Sequence, residues 1–263
     1  MNTMLRNTNE RLLSARMSEE EARTRRDLAA CYRLVALYGW EDMLATHISA
    51  RLPQQDGRDC FLINPLGLMF EEITASSLIK VAMDDGEILQ ETPYEVNRAG
   101  YVIHSAVLAA RPDIHCAIHL HSLDGVAVSA TEEGLLPLNQ TAMTIAGHVA
   151  FHEFEGVANN EEERERLAAD LGHKPLMLLR NHGTLSVAPT IPSAFVLMYL
   201  LEWSCTVQVR TLGMARPLHA ADPKVIAATG QLLDNPDLKK YADGLAWPAL
   251  LRKLERCNPG YDA

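Results

Sequence analysis

The sequence predicts a single α/β domain with a helical C-terminal tail. Three observations carry that prediction. Along 263 residues the apolar spacing switches repeatedly between helical and strand periods. No Ser/Gly-rich linker, internal repeat or low-complexity tract divides the chain, and beyond about residue 215 only helical patterns remain. The expected organisation is a partly ordered arm at 1–17, a domain at 18–215 and a helical tail at 216–263 packed on it.

The elements follow in order. Ser18 and Glu21 have capping-box spacing, after which Leu28, Cys31, Leu34, Val35 and Tyr38 recur helically until Gly39 stops the helix. From Ile48 to Ile63 the pattern shortens to two strands around Gln55-Asp56-Gly57, a hairpin, and Asn64-Pro65-Leu66-Gly67 is a further turn. Thr74 to Val81 reads as a short helix, and Asp84-Asp85-Gly86 as a turn between two brief strands. Asn97 opens a helix that reaches about Ala110 and closes at Arg111-Pro112-Asp113. Ile114 to His121 alternates, with Ile114, Cys116, Ile118 and Leu120 on one face and His115, Ala117, His119 and His121 on the other. Strands are expected at Val149–Phe154, Leu176–Leu179 and Thr184–Val187, and a helix from Asn160 to about Leu171. Thr190 caps a long apolar helix to about Leu212, Asp222-Pro223 starts another, and Trp247 to Cys257 forms the last.

Composition excludes several function classes. With 24 Lys+Arg against 34 Asp+Glu the net charge is −10, and the one dense basic run, Arg23 to Arg26, is flanked by acids. Nucleic-acid backbones are poor partners for such a chain. No apolar run approaches the ~18 residues of a membrane span, since the longest, Ile191 to Leu201, ends at Glu202 and Trp203. Cys31, Cys60, Cys116, Cys205 and Cys257 are scattered without CxxC spacing and read as reduced, mostly buried thiols. No apolar secretion core precedes Glu19-Glu20-Glu21, which are too acidic for a transit peptide, so a cytoplasmic location is expected. A small molecule is the expected partner. No Walker loop, dinucleotide fingerprint or GxSxG elbow occurs.

His119-Leu120-His121 places two imidazoles on one side of a strand, within reach of a single ion. A polar, solvated strand face explains the same pair, so a third ligand is needed. Arg180-Asn181-His182-Gly183, lying between two apolar strands, supplies one if Gly183 lets the chain turn and project the imidazole over the sheet. Three neutral imidazoles with open positions suit a divalent metal, most simply Zn²⁺, while nitrogen ligands also serve Mn²⁺ or Fe²⁺.

Ala110-Arg111-Pro112-Asp113, the strand ending His119-Leu120-His121, the later Arg180-Asn181-His182-Gly183 and the early Phe61-Leu62-Ile63-Asn64-Pro65-Leu66-Gly67 together resemble the class II aldolase/adducin head family over about Ser18 to Gly213. The resemblance implies a three-layer α/β/α domain with a mostly antiparallel central sheet. It also implies a metal held by the three motif histidines, and commonly a homotetramer with sites near subunit contacts. Two departures stand out. Where sugar-phosphate aldolases of the family carry a Gly-Asn pair for phosphate, this sequence has Thr46-His47, and where they carry Ser-Ser-Glu with a catalytic glutamate, it has Arg98-Ala99-Gly100. The pattern is similar to the adducin-like bacterial branch.

Candidates to replace the missing acid are His104, one turn after Gly100, and the adjacent phenol of Tyr101; Glu95, before the helix, is a further one. His47 is a candidate for binding an anionic substrate oxygen. Packed polar residues with backbone partners explain each equally well. The expected activity is that of a metal-dependent lyase acting on a small hydroxy- or oxo-carbonyl compound through a metal-stabilised enediolate. Aldol cleavage, decarboxylation, epimerisation and dehydration are all open to such a site. A non-enzymatic adducin-head-like assembly module and a non-haem iron oxygenase on the same fold are the alternatives.

Overall fold

The computed structural model describes residues 17–156 and 161–263; the arm expected at 1–17, apart from Met17, and the cap at Asn160 lie outside them. Helix α1 (Glu19–Tyr38) begins where Ser18 Oγ accepts the Glu21 N–H at 3.1 Å and ends at Gly39, whose φ of 71° only glycine adopts freely. The expected capping box is half made. The Glu21 carboxylate accepts instead from Arg25 at 3.0 Å and Lys80 at 2.6 Å, which ties the helix to the sheet.

Strands β1 (His47–Gln55) and β2 (Arg58–Ile63) form the hairpin, turning through Asp56 and Gly57, both with positive φ. The short helix expected over Thr74 to Val81 is absent. The backbone N–H of Thr74 donates to Ser77 Oγ at 2.9 Å and that of Ser77 to Thr74 Oγ1 at 3.2 Å, which satisfies the chain without a helix, and Ile79–Ala82 becomes β3 paired to β2. Helix α2 (Arg98–Ala110) starts at the Asn97 cap, and β4 (Cys116–Leu120) follows. Two short helices that the apolar pattern did not signal come next, α3 (Leu123–Ser129) capped by Ser122 and α4 (Gln140–Ile145) capped by Asn139. Strand β5 (Val149–His152), α5 (Glu161–Leu171), β6 (Leu176–Leu179), β7 (Gly183–Ala188) and α6 (Ile191–Gly213) complete the body. The tail holds α7 (Pro223–Gly230), α8 (Asp237–Tyr241), one π turn and α9 (Trp247–Cys257).

Among the described residues the sheet has seven strands in the order β3-β2-β1-β4-β7-β6-β5, and only β5 and β6 run parallel. Its two faces bury separate cores. Ile48, Leu62, Cys116, Ile118, Leu176 and Leu178 face α1 and α6, whereas Phe61, Val81, Ala117, Met177, Leu185 and Val187 face α2 and α5. That is the three-layer α/β/α arrangement with a mostly antiparallel sheet. The tail is held by polar contacts to α1: Trp247 Nε1 donates to Asp27 Oδ1 at 3.0 Å, and the Arg33 guanidinium donates to Asn258 Oδ1 at 2.8 Å and Pro259 O at 2.6 Å. Among the described residues, no helix is long and apolar enough to cross a membrane.

Candidate metal centre

Because β4 runs antiparallel to both β1 and β7, the C-terminal end of β4 meets the N-terminal ends of its two neighbours. His119 pairs in register with His47 on one side and Leu185 on the other, and the turn before β7 carries His182. One donor atom from each of His119, His121 and His182 lies within 4.8 Å of the others, a cluster that could hold a metal ion. The rings are nearly equidistant, with centroids 4.7–4.8 Å apart.

Backbone detail explains the convergence. Asn181 takes the left-handed turn at φ 55°, and the Arg180 guanidinium donates to Thr131 O at 2.6 Å while lying 4.3 Å from the Phe151 ring centre. Gly183 serves close approach rather than the turn itself: a Cβ there would collide with the Leu120 carbonyl oxygen and meet the His121 ring at 3.0 Å.

Hydrogen bonds fix the tautomers. Thr184 O, an acceptor only, lies 3.0 Å from His119 Nδ1, so that nitrogen carries the proton. Asp42 Oδ2 lies 3.2 Å from His121 Nδ1 and assigns it in the same way. In the neutral rings that bind metals the two Nε2 atoms are the donors, and they face each other at 3.0 Å. Metal–nitrogen bonds of about 2.0–2.1 Å bring two ligand nitrogens to roughly 2.8–3.4 Å, a span that the His119–His121 pair matches. Burial, then the neighbouring imidazoles, hold His119 well below the usual histidine range, and the same causes bring His182 down to about 4. Neutral rings are the ligand form.

A second pair of histidines stands beside the cluster. The His47 ring stacks on His119 (centroids 5.4 Å, 30° between planes) and meets His104 edge-on at 5.5 Å. His104 Nδ1 contacts Ser49 Oγ at 2.5 Å. Both rings are buried; burial brings His104 down to about 3 and pushes His47 well below its usual range, with His104 adding to the effect. Thr46 Oγ1, His47 Nδ1 and His104 Nε2 are buried polar atoms without a hydrogen-bond partner among the described residues. Gly100 belongs to the same arrangement, for a Cβ built on it would lie 2.7 Å from His47 Cδ2 and 2.8 Å from Cγ. The ring of His47 fills the space where a side chain at 100 would begin.

Tyr101 lies elsewhere. Its hydroxyl donates to Met83 O at 3.1 Å and its ring stacks on Phe61 in the α2/α5 core. Glu95 is exposed before α2, and His115 is exposed at the start of β4. His148 contacts Gly230 O at 3.1 Å, and His152 is clamped to Asp170 at 2.7 Å. Sequence reasoning passed over the roles of Ser49 and Thr184, whose only signal would have been strand register across the β1–β4–β7 triplet, and of Asp42, which lies in the loop before β1 and has no such signal. It also passed over Glu202, although an acid within an apolar helix was visible.

Comparison with known proteins gives this geometry a context. Residues 26–209 match the class II aldolase and adducin N-terminal domain. A Caulobacter vibrioides protein named for aldolase class 2 is 51% identical over 250 residues, covering 95% of each chain. Among solved structures, an aldolase II superfamily protein from Pseudomonas syringae superposes with a TM-score of 0.88 at 43% identity over 95% of this chain and 99% of its own. The L-fuculose 1-phosphate aldolase of Glaciozyma antarctica superposes with a TM-score of 0.78 at 28% identity over 91% and 92%. This chain belongs to the class II aldolase and adducin N-terminal domain family.

Proposed function

We propose that the chain is a metal-dependent, class II aldolase-like lyase acting on a small hydroxy- or oxo-carbonyl compound, with His119, His121 and His182 holding the cation. The observation that carries this reading is the convergence of the three histidines, with the Nε2 atoms of His119 and His121 3.0 Å apart and each ring oriented by an acceptor on its Nδ1. Zn²⁺ suits three neutral imidazoles with open positions, and Mn²⁺ or Fe²⁺ are served by the same atoms. Such an ion supplies Lewis-acid stabilisation of negative charge developing on adjacent substrate oxygens as a C–C or C–H bond breaks.

The protein's own groups do the rest. His47 lies between the cluster and His104, so it is the ring placed to meet the substrate, with His104 and Ser49 behind it. His47 thus keeps the substrate-contacting role expected of it, while His104, the expected replacement acid, supports it from behind. A neutral imidazole donates one N–H to a substrate oxygen without bringing a second positive charge near the cation. Tyr101, bonded to Met83 O, packs the far side of α2 and takes no part. Four of the five cysteines are buried free thiols, which supports a cytoplasmic setting, and the family likeness supports a homo-oligomer. Residues 18–215 form the catalytic domain of this reading, with 216–263 as its packed tail.

Metal analysis of protein purified without added ions tests the proposal. Zinc or manganese at about one ion per chain is expected, lost in both His119→Ala and His182→Ala. Full occupancy in both variants would refute the ligand assignment. No metal in the unaltered chain would favour the adducin-head-like module, and iron with substrate-dependent oxygen uptake would favour the oxygenase.

A further inference from the structure

Glu202 is 1% exposed, on the buried side of α6 with Ala194, Phe195, Met198, Leu201 and Cys205, and it is the one acid among the helix's buried residues. Burying a carboxyl without a cationic partner is costly, so its contacts call for a reason. Its hydrogen-bond partners among the described residues are two hydroxyls. Thr184 Oγ1 donates to Oε1 at 2.7 Å, and Ser122 Oγ donates to Oε2. Burial pushes this carboxyl up to about 7 while the two hydroxyls pull it back toward the ionised form.

Each of those hydroxyl residues is next to a piece of the histidine cluster. Thr184 provides the carbonyl that fixes His119 Nδ1, and it lies two residues after His182. Ser122 follows His121 directly, and its Oγ also accepts the Gly125 N–H at 3.0 Å as the cap of α3. One carboxyl thus ties the end of β4 to the start of β7, the two chain segments that carry all three ligands. The space around it is closed. A Cβ on Gly125 would lie 2.6 Å from Ser122 Oγ, 2.8 Å from Thr184 Cγ2 and 3.2 Å from Glu202 Oε1, so the bridge has no room to rearrange.

We propose that Glu202 is a positioning residue for the histidine cluster, holding Thr184 and Ser122 so that His119, His121 and His182 converge on one ion. The inference rests on the metal reading above and adds the group that sets the ligand geometry. Hydrogen-bonding groups behind metal ligands commonly change affinity 10- to 100-fold when removed.

The test is a Co²⁺ titration of the full chain after chelator treatment, read by competition with a chromophoric chelator and by the visible d–d absorption of the bound ion. The unaltered chain and the variants Glu202→Gln, Glu202→Leu and Thr184→Val are compared. The unaltered chain is expected to bind one Co²⁺; if it binds none, the metal reading itself fails before any variant is considered. Glu202→Leu is expected to weaken binding about 10- to 100-fold and to alter the d–d bands, while Glu202→Gln, which keeps an acceptor for Thr184, stays within about threefold. Thr184→Val, which removes one hydroxyl and keeps the carbonyl that orients His119, is expected to weaken binding about tenfold with altered bands, and it decides the matter if Glu202→Leu does not fold. Unchanged affinity and spectrum in folded Glu202→Leu or in Thr184→Val would overturn the proposal. So would a Glu202→Gln variant as impaired as Glu202→Leu, since a group that merely positions should tolerate the isosteric amide.

Discussion

Gly100→Ala is the smallest change that probes the packing of His47 against α2. In a helix interior alanine is normally better than glycine by about 1 kcal/mol. Here the added methyl would sit 2.7 Å from His47 Cδ2 and 2.8 Å from Cγ, distances that real Cβ atoms do not tolerate. Cγ lies near the root of the side chain, and the ring is enclosed between His104 and His119, so relief requires movement of β1. Overpacking of that kind costs about 1–3 kcal/mol. The net expectation is a loss of about 1 kcal/mol. In a His47→Ala background the obstacle is gone, and the same substitution should stabilise by about 1 kcal/mol, giving a coupling of about 2 kcal/mol. Urea unfolding of the four metal-free proteins at neutral pH measures each corner of the cycle. If Gly100→Ala stabilises the native background as much as the His47→Ala background, the ring does not occupy that space and the account is wrong.

Other expectations follow from the same structure. Tyr32→Phe should destabilise by about 2–4 kcal/mol, because the buried hydroxyl accepts from Ile48 N at 2.8 Å and Asn64 N at 3.0 Å and both amides would be orphaned; a loss under ~0.5 kcal/mol in urea unfolding would contradict this. With His104 at about 3 and His182 at about 4, the unfolded chain binds protons that the folded chain refuses below the ordinary histidine value of about 6.5. Stability of the metal-free protein should therefore fall as pH drops from about 6.5 toward 4. Glu202, at about 7 when folded against 4.5, contributes in the opposite sense, a stabilisation present below about 4.5 and lost as pH rises to 7. His104→Asn should flatten the acid-side loss between pH 7.5 and 5 in chelator-containing buffer, and an equally steep loss in that variant would refute the assignment.

The parts of the fold legible in the sequence are those where one period persists. Leu28 to Tyr38, Thr190 to Leu212 and the alternation through His119 gave α1, α6 and β4 because each buries one face against the sheet. Thr74 to Val81 misled because Thr74 and Ser77 close on each other's backbone, a local contest that spacing does not report. The histidine trio was legible as three residues; its geometry was not. Which nitrogen faces the ion depends on Thr184 O and Asp42, and those partners arise from strand pairing between segments about 65 and 79 residues apart. Tyr101 illustrates the complementary limit. One residue from Gly100, it projects from the other side of the same helix, toward Met83 rather than toward the histidines.

Two departures from the aldolase pattern that look independent in the sequence, a histidine at 47 and a glycine at 100, are one steric arrangement in the fold. The ring on β1 needs the space that a side chain on α2 would take, so a carboxylate at 100 and an imidazole at 47 exclude one another in this packing. The exchange alters charge as well as shape. A carboxylate at 100 would carry a negative charge, whereas His47 is held neutral by burial and by His104 beside it. With a divalent ion on three neutral rings, the site would then keep a positive charge that an anionic substrate can meet, and the N–H of His47 could receive one of its oxygens. Asp42, bonded to His121 from a side chain 54% exposed, screens that charge weakly because water reaches it. In the proposed reading, the packing that puts His47 where a side chain at 100 would begin therefore leaves an N–H donor, rather than a carboxylate, beside the three histidines.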